Sequence, residues 1–322
     1  MSLSDCKFVW KNGQVVPWEQ ATVHVSSHGL HYGTGVFEGM RCYKTSSGPA
    51  VFRLTEHLDR WLASAAVYGM KLPYSRQQLA QATLQIIAAN GFEGCYIRPI
   101  AFYGSDGLSV HPRNCPVEVM IFAWPWGAYL GGDALEHGIR ATVSPWKKFQ
   151  SDAIPATAKA CGQYLNSVLA VQDAIARGYD EAILLDSAGC VTEGSGENLF
   201  FVKGGRLCTN DERSSVLMGI TRDAVLRLAR EMGIAVSIQQ LTLADVQQAD
   251  EAFFTGTAVE VTPVASIDDH PIGAGKRGPV TAMLQRAFFD VTGGTNPQYA
   301  NWLTPVPVAK NDERLVSQGA SL

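Results

Sequence analysis

The sequence predicts a mixed α/β chain, of the α+β kind, organised as two domains around a shared cleft. Three observations lead to it. The 322 residues exceed the usual size of one compact domain, so either half can bury its own core. Apolar residues recur at strand spacing in some segments and at helical spacing in others. The strands are also too irregularly placed for a doubly wound sheet.

The first third reads as strands and hairpins around two helices. Phe8 to Val16 carries Asn12-Gly13 between apolar arms, the dipeptide that supplies positive φ to a tight turn. Gly35 to Tyr43 and Ala50 to Leu54 read as a second strand pair across Ser46-Ser47-Gly48. Leu54, Leu58, Trp61, Leu62 and Ala65 then follow helical spacing, which sets Arg60 at the edge of an apolar face. Ser75 with Gln78 makes a capping box for a second helix ending at Gly91, and strands follow at Cys95 to Tyr103 and Val117 to Trp124.

Pro125 to Gly132 combines a helix breaker, three glycines and aromatics, the composition of a linker that also lines a pocket. The expected domains are therefore a small N-terminal domain at 1–127, a linker at 128–137 and a larger C-terminal domain at 138–322. The second domain should hold strands at Ile139 to Val143, Ala182 to Asp186 and Asn198 to Val202. Its helices should run from about Gly162 to Arg177, from Thr221 to Gly233 and from Pro279 to Val291, and the tail after Thr304 reads as poorly ordered.

Composition narrows the function classes. The net charge of −4, from 30 acidic and 26 basic residues without a long run of either sign, points away from nucleic acid and anionic membranes and towards small-molecule substrates. The seven scattered cysteines show no C-x-x-C pair, and Met1 to Val23 lacks the apolar core of a signal peptide, so a reduced, cytoplasmic protein is expected. The most apolar stretch, Val119 to Gly132, is too short to span a bilayer. No metal site is expected: there is no H-E-x-x-H, and His24, His28 and His31 read as packed imidazoles in a polar loop. Gly273-Ala274-Gly275-Lys276 lacks the spacing of a phosphate loop and reads as a surface turn, while Gly194-Ser195-Gly196 lacks that of a nucleophile elbow.

Lys159 stands out because its neighbours, Ile154-Pro155-Ala156-Thr157-Ala158 and Ala160-Cys161-Gly162, are small and uncharged. Partial burial among uncharged groups disfavours an ammonium, which is what a Schiff-base lysine requires near neutral pH. Other segments accompany it: Gln163-Tyr164-Leu165-Asn166, Val191-Thr192-Glu193-Gly194-Ser195-Gly196-Glu197-Asn198, Gly219-Ile220-Thr221-Arg222 and Thr255-Gly256-Thr257-Ala258. In this order, from about Val9 to Phe289, they resemble the class IV, or fold type IV, pyridoxal phosphate enzymes. Tyr32-Gly33-Thr34-Gly35-Val36-Phe37-Glu38-Gly39, Tyr96-Ile97-Arg98-Pro99 and Pro125-Trp126-Gly127-Ala128-Tyr129 look like the branched-chain amino acid aminotransferases, those of the bacterial type fitting best. The D-amino acid aminotransferases, (R)-amine transaminases and aminodeoxychorismate lyase share the large-domain segments but differ on the substrate side.

The resemblance implies a small α/β domain followed by a larger domain with a pseudo-barrel sheet, a pyridoxal 5'-phosphate cofactor, and transfer of an amino group between leucine, isoleucine or valine and 2-oxoglutarate. It assigns Lys159, Glu193 and Tyr164 to catalysis: the amine that carries the cofactor and moves the Cα proton, the acid at the pyridine nitrogen, and the donor to the 3' oxygen. Arg60, Ile220, Thr221 and Thr257 would hold the phosphate, through a charge-assisted bond and the open amides of a helix start. Tyr96 with the amides of Thr257 and Ala258 would take the substrate carboxylate. Phe37, Tyr32, Val110, Trp126 and Tyr129 would wall an apolar pocket, and Arg98 would pair with the glutamate side chain. Such a pocket discriminates by only about 1 to 3 kcal/mol per methylene, so all three branched substrates should enter. By the same analogy the protein is a homodimer or an assembly of dimers, with small-domain residues of one subunit reaching the other's site.

Overall fold

The computed structural model describes residues 3–127 and 133–307. The first part runs β1 (Phe8–Lys11), β2 (Gln14–Pro17), α1 (His28–Tyr32), β3 (Gly35–Phe37), β4 (Met40–Thr45), β5 (Gly48–Phe52), α2 (Leu54–Val67), α3 (Arg76–Asn90), β6 (Cys95–Tyr103) and β7 (Val117–Trp124). The second continues through α4 (Ala134–His137), β8 (Ile139–Val143), α5 (Tyr164–Ala176), β9 (Glu181–Leu185), β10 (Cys190–Gly194), β11 (Asn198–Lys203) and β12 (Arg206–Thr209). It ends with α6 (Ile220–Glu231), β13 (Val236–Ile238), β14 (Leu241–Thr242), α7 (Leu243–Gln247), β15 (Glu251–Gly256), β16 (Glu260–Ile267), β17 (His270–Pro271), α8 (Pro279–Thr292) and β18 (Leu303–Pro305).

Two sheets organise these elements. The eight-stranded first sheet has the order β18-β5-β4-β6-β7-β1-β2, with β3 beside β6. The ten-stranded second sheet has the order β13-β12-β11-β15-β16-β8-β9-β10-β14, with β17 on β16. Pairing is antiparallel except for β12 with β13, β16 with β8 and β8 with β9. The mixed class expected from the sequence is the one observed.

Local chemistry accounts for the elements that frame the cleft. Asn12 and Gly13 both take positive φ, at 48° and 94°, the conformation a two-residue turn demands between β1 and β2. The capping box expected at Ser75 and Gln78 is formed at the start of α3. Leu54, Leu58, Trp61 and Ala65 of α2 are buried in the first domain's core with Leu79, Ile86 and Ile87 of α3. Another core lies between the second sheet and α6 and α8, where Phe200, Phe253 and Val261 meet Val225, Leu228, Leu284 and Phe288.

Four differences from the sequence reading carry physical reasons. The strand expected from Gly35 to Tyr43 is broken at Glu38-Gly39, so that β3 and β4 are separate. Ala134 to His137, expected within the linker, form α4, whose Leu135 carbonyl accepts from Arg277 and Gln285; residues 128–132 lie outside the described region. Pro305 and Val306, the first residues of the expected loose tail, are held: Pro305 ends β18 and pairs with Ala50 of β5, and Val306 is buried; residues 308–322 again lie outside the described region. Finally, β10, β12, β13, β15 and β16 had no strand expected at their positions; β10, β15 and β16 are almost wholly buried and lack the alternation of a half-exposed strand, whereas β13 is a three-residue strand at the sheet edge.

Glu251 opens β15, and its buried carboxylate caps α8. It accepts from the backbone N–H of Val280 at 3.0 Å and of Thr281 at 2.7 Å, and from the Thr281 hydroxyl at 2.6 Å. Three donors at a helix start would lose their partner together in Glu251→Ala, which should cost about 1 to 3 kcal/mol. A thermal melt checks this: a midpoint within experimental scatter of the parent would sink the assignment.

Candidate active site

The segment that carries Lys159 is fixed by its backbone. Ala160 bridges to Val36, the Phe37 N–H donates to the Lys159 carbonyl at 3.0 Å, and the Lys159 N–H donates to Ser64 Oγ at 3.0 Å. With its main chain held against β3 and α2, the side chain reaches across a cleft of about 630 Å³. There Lys159 Nζ donates to the Tyr164 hydroxyl at 2.6 Å and lies 4.9 Å from the centre of the Phe37 ring. Burial, then the nearby Arg60 cation, lowers the Lys159 amine from 10.5 to about 8. Burial, then Glu193, pushes the Tyr164 phenol up, so it stays protonated.

Glu193, on β10, faces the same cleft and is 7% exposed, in a strand and not in the solvated turn its glycine neighbours suggest. Its Oε1 accepts from Lys148 Nζ at 2.6 Å, and its Oε2 from the Leu217 N–H at 3.0 Å. Arg60 comes from α2 to the opposite side. Its Nε and Nη2 donate to the two oxygens of Glu38 at 2.6 and 2.8 Å, and its Nη1 donates to the Met218 carbonyl at 3.1 Å. The start of α6 closes this end: Gly219 is its N-cap and offers no side-chain cap, so the first amides, those of Ile220 and Thr221, are left without a helical acceptor. Lys159, Tyr164, Glu193, Arg60, Ile220 and Thr221 all line this cleft, as does Thr257 in the turn between β15 and β16. The Thr257 hydroxyl donates to the Gly39 carbonyl at 3.0 Å, so its hydrogen is turned away from the position expected for it.

The expected substrate residues fall into two groups. Phe37 touches Tyr164, with ring centres 4.8 Å apart, and Arg98 lies over Phe37 at 4.6 Å. Tyr96 stacks on Trp126 at 4.9 Å, and its hydroxyl occupies the space beside Gly39, where a Cβ would stand 1.9 Å from it. Ala258 follows Thr257, with its carbonyl 3.5 Å from Arg41 Nη1. Arg98 forms no ion pair among the described residues. Tyr32 and Val110 are not brought to the cleft within one chain. Tyr32 is 43% exposed with its hydroxyl on the Leu108 carbonyl, and Val110 is 79% exposed. Tyr129 lies outside the described residues.

The geometry thus joins a deprotonatable amine, a phenol, a buried acid and, at the other end, an arginine with the open start of α6 in one cleft. The family model for class IV amino-transferases matches residues 35–267, a span that includes every one of those groups. The chain belongs to the class IV aminotransferases. Among them it is similar to the branched-chain-amino-acid aminotransferase of Pseudomonas aeruginosa, with 47% identity over 307 residues, 95% of this chain and 100% of that one. It superposes on the Escherichia coli branched-chain amino acid aminotransferase with a TM-score of 0.92 at 47% identity, covering 94% of this chain and all of that one. The T.th. enzyme of the same name, solved with pyridoxamine 5'-phosphate, gives a TM-score of 0.91 at 47% identity, covering 94% and 99%. The two-domain fold type IV architecture, with the second sheet curled as a half-barrel, is the one these class IV aminotransferases share.

Several residues of this class IV site escaped the sequence reading. Lys148 sits in Lys147-Lys148 and looks like part of a surface pair, so nothing in the sequence marks it. Glu38 did leave a mark, as a lone acid inside the apolar run Gly35-Val36-Phe37-Glu38-Gly39-Met40. Glu197, which the sequence reading left outside the catalytic set, is buried beside Glu181; burial and then that neighbour push Glu197 well above the usual carboxylate range, and burial raises Glu181.

The depressed Lys159 value has a pH consequence. Below about 8 the amine is a protonated, unreactive ammonium; above it the free amine dominates. In cofactor-free protein the rate of reductive alkylation at Lys159, followed by mass spectrometry, should climb through pH 8 and level off well before 10.5. A rate still climbing at pH 10 would contradict the assignment. The unfolded chain keeps its proton between those two values, so this group's contribution to stability grows with pH over the same window.

Proposed function

We propose that the chain is a branched-chain L-amino acid aminotransferase that carries pyridoxal 5'-phosphate on Lys159 and moves the amino group of leucine, isoleucine or valine to 2-oxoglutarate. One observation carries the reading: Lys159 Nζ stands 2.6 Å from the Tyr164 hydroxyl in a cleft that also holds Glu193 and, at its other end, Arg60 with the open start of α6. The relatives named for branched-chain substrates, and the T.th. enzyme solved with pyridoxamine 5'-phosphate, support the same cofactor and substrate class.

The residues fit that cofactor at both ends. Two unspent N–H groups of Arg60 and the first amides of α6 suit a phosphate dianion. Tyr164 can donate to the 3' oxygen once Lys159 no longer claims it, and Glu193 supplies the negative charge that keeps a ring nitrogen protonated. When bound, pyridoxal phosphate supplies an electron sink for the carbanion left by loss of the Cα proton. The chain's own part would be to place and move protons: Lys159 Nζ would take the Cα proton and hold it beside the substrate. Tyr96, Thr257 and Ala258 orient the substrate carboxylate above Phe37 and Trp126. Arg98, without a carboxylate of its own among the described residues, awaits the side-chain carboxylate of glutamate.

The apolar face around Tyr32 fits a second subunit. Leu30, Leu108 and Val110 are 63%, 47% and 79% exposed on it, a grouping that water disfavours. Tyr32 and Val110 then complete the partner's pocket, and the protein is a homodimer or an assembly of dimers. The seven free cysteines, Cys6 to Cys208, suit the reducing cytoplasm, and no helix of the described residues is long and apolar enough to cross a membrane.

The test is a visible spectrum of the cofactor-loaded protein before and after leucine, followed by a panel of oxo acids. Loss of the yellow absorbance with leucine, restored by 2-oxoglutarate, is the expected result. Turnover confined to aromatic amines or aminodeoxychorismate would reject the substrate assignment.

A further inference from the structure

We infer that Glu38 is the positioning residue of the phosphate end: it holds the Arg60 guanidinium fixed at the cleft, while touching no ligand itself. The inference rests on the assignment of pyridoxal phosphate to this cleft.

Glu38 occupies the break between β3 and β4 and is fully buried. Its carboxylate is saturated by donors: Arg60 Nε at 2.6 Å, Arg60 Nη2 at 2.8 Å, His57 Nδ1 at 2.7 Å and the Gly39 N–H at 3.2 Å. Burial alone would raise the acid, but Arg60 and then His57 outweigh it and hold the carboxyl well below its usual range. Burial keeps His57 below its own usual value.

The guanidinium is a planar fork with five N–H groups. Glu38 takes the Nε and Nη2 side, and the Met218 carbonyl takes one N–H of Nη1 at 3.1 Å. What remains is one N–H on each Nη, and a phosphate can accept from both. Arg60 lines the cleft and Glu38 does not. A flexible side chain loses rotamer freedom when it binds; here Glu38 has imposed that loss before any ligand arrives. The same acid links this arginine to the Thr257 turn, since the Gly39 carbonyl next to it accepts the Thr257 hydroxyl at 3.0 Å.

A merely structural ion pair, fastening α2 to β3, would make a different prediction, because it would not distinguish ligands that differ only in the phosphate. The experiment titrates cofactor-free protein with pyridoxal phosphate and, separately, with pyridoxal, following absorbance and the ³¹P resonance of the former. In Glu38→Gln a single oxygen replaces the pair of acceptors. The Kd for pyridoxal phosphate should rise by about tenfold or more, while that for pyridoxal shifts by less than about twofold. In an Arg60→Gln background the same change should add nothing, because Glu38 acts only through that arginine. Equal weakening of both ligands, or a full additive loss in the Arg60→Gln background, would overturn the inference. Should Glu38→Gln alone fail to fold, the double variant, which removes both charges together, still supplies the comparison with Arg60→Gln. Parent protein that binds neither ligand at Lys159 would bring down the cofactor assignment and this inference with it. Tight parent binding that Glu38→Gln leaves unchanged would remove the positioning role alone.

Discussion

Lys159→Ala is expected to lower leucine transamination by at least about ten-thousandfold, the upper range for removing a positioned proton-transfer group, with the covalent attachment lost as well. The size follows from the geometry. Lys159 is the amine that the cleft gathers against Tyr164, at 2.6 Å, and it is the one whose protonation the site depresses towards neutrality. Lys148, the other lysine lining the cleft, is engaged by Glu193 at 2.6 Å and so cannot substitute. Lys159→Arg should be as inactive, since a guanidinium keeps its proton at any working pH. Steady-state rates on protein shown by circular dichroism to be folded check both variants. A variant within a hundredfold of the parent would mean that proton transfer belongs to another residue.

Glu193→Gln is expected to cut turnover by about a hundred- to a thousandfold, because the amide keeps the shape and drops the charge that should hold the ring nitrogen protonated. The same change strands the Lys148 ammonium, which is 8% exposed and donates to Glu193 at 2.6 Å. Breaking a buried pair from one side costs about 3 to 5 kcal/mol, so the variant should also melt earlier. The two effects separate in Glu193→Gln with Lys148→Met: removing both charges should recover most of the stability and none of the rate. If the double variant regained turnover, the rate defect would trace to misfolding and the electrostatic role would fail.

How far the sequence revealed this site depended on whether a residue's neighbours betrayed its surroundings. Lys159 was visible because small uncharged residues on both sides are a strange setting for a surface lysine. Arg60 was visible because helical spacing placed it at the edge of an apolar face, and the structure sets it at the cleft. The start of α6 was legible from Gly219 followed by a helical pattern. Lys148 was not, for a pair of lysines looks the same in solvent as in a cleft until the partner acid arrives from a distant strand. Glu38 lay hidden in a segment read as one continuous strand, although an acid in such a run needs buried donors. Tyr32 and Val110 mark another limit, since both stand exposed and away from the cleft to which the resemblance assigned them. In the fold, β6 and β7 matched their expected bounds and the buried β9 and β11 came within a residue of theirs, whereas β15 and β16 had no strand expected.

The pairing of β18 with β5 places an order on how the chain matures. Leu303 to Pro305 cover the outer side of Gly48–Phe52, and the Trp302 carbonyl takes the Arg53 N–H at 2.6 Å. During synthesis β5 emerges first, and its covering strand follows only after all the elements between them. Until then the nascent polypeptide displays a bare strand edge with Val51 and Phe52 in it, a template for sticking to other copies. A ribosome that stalls or a protease that nicks ahead of Leu303 would therefore leave a nearly whole molecule with that edge open, and such fragments should be prone to clump and be cleared.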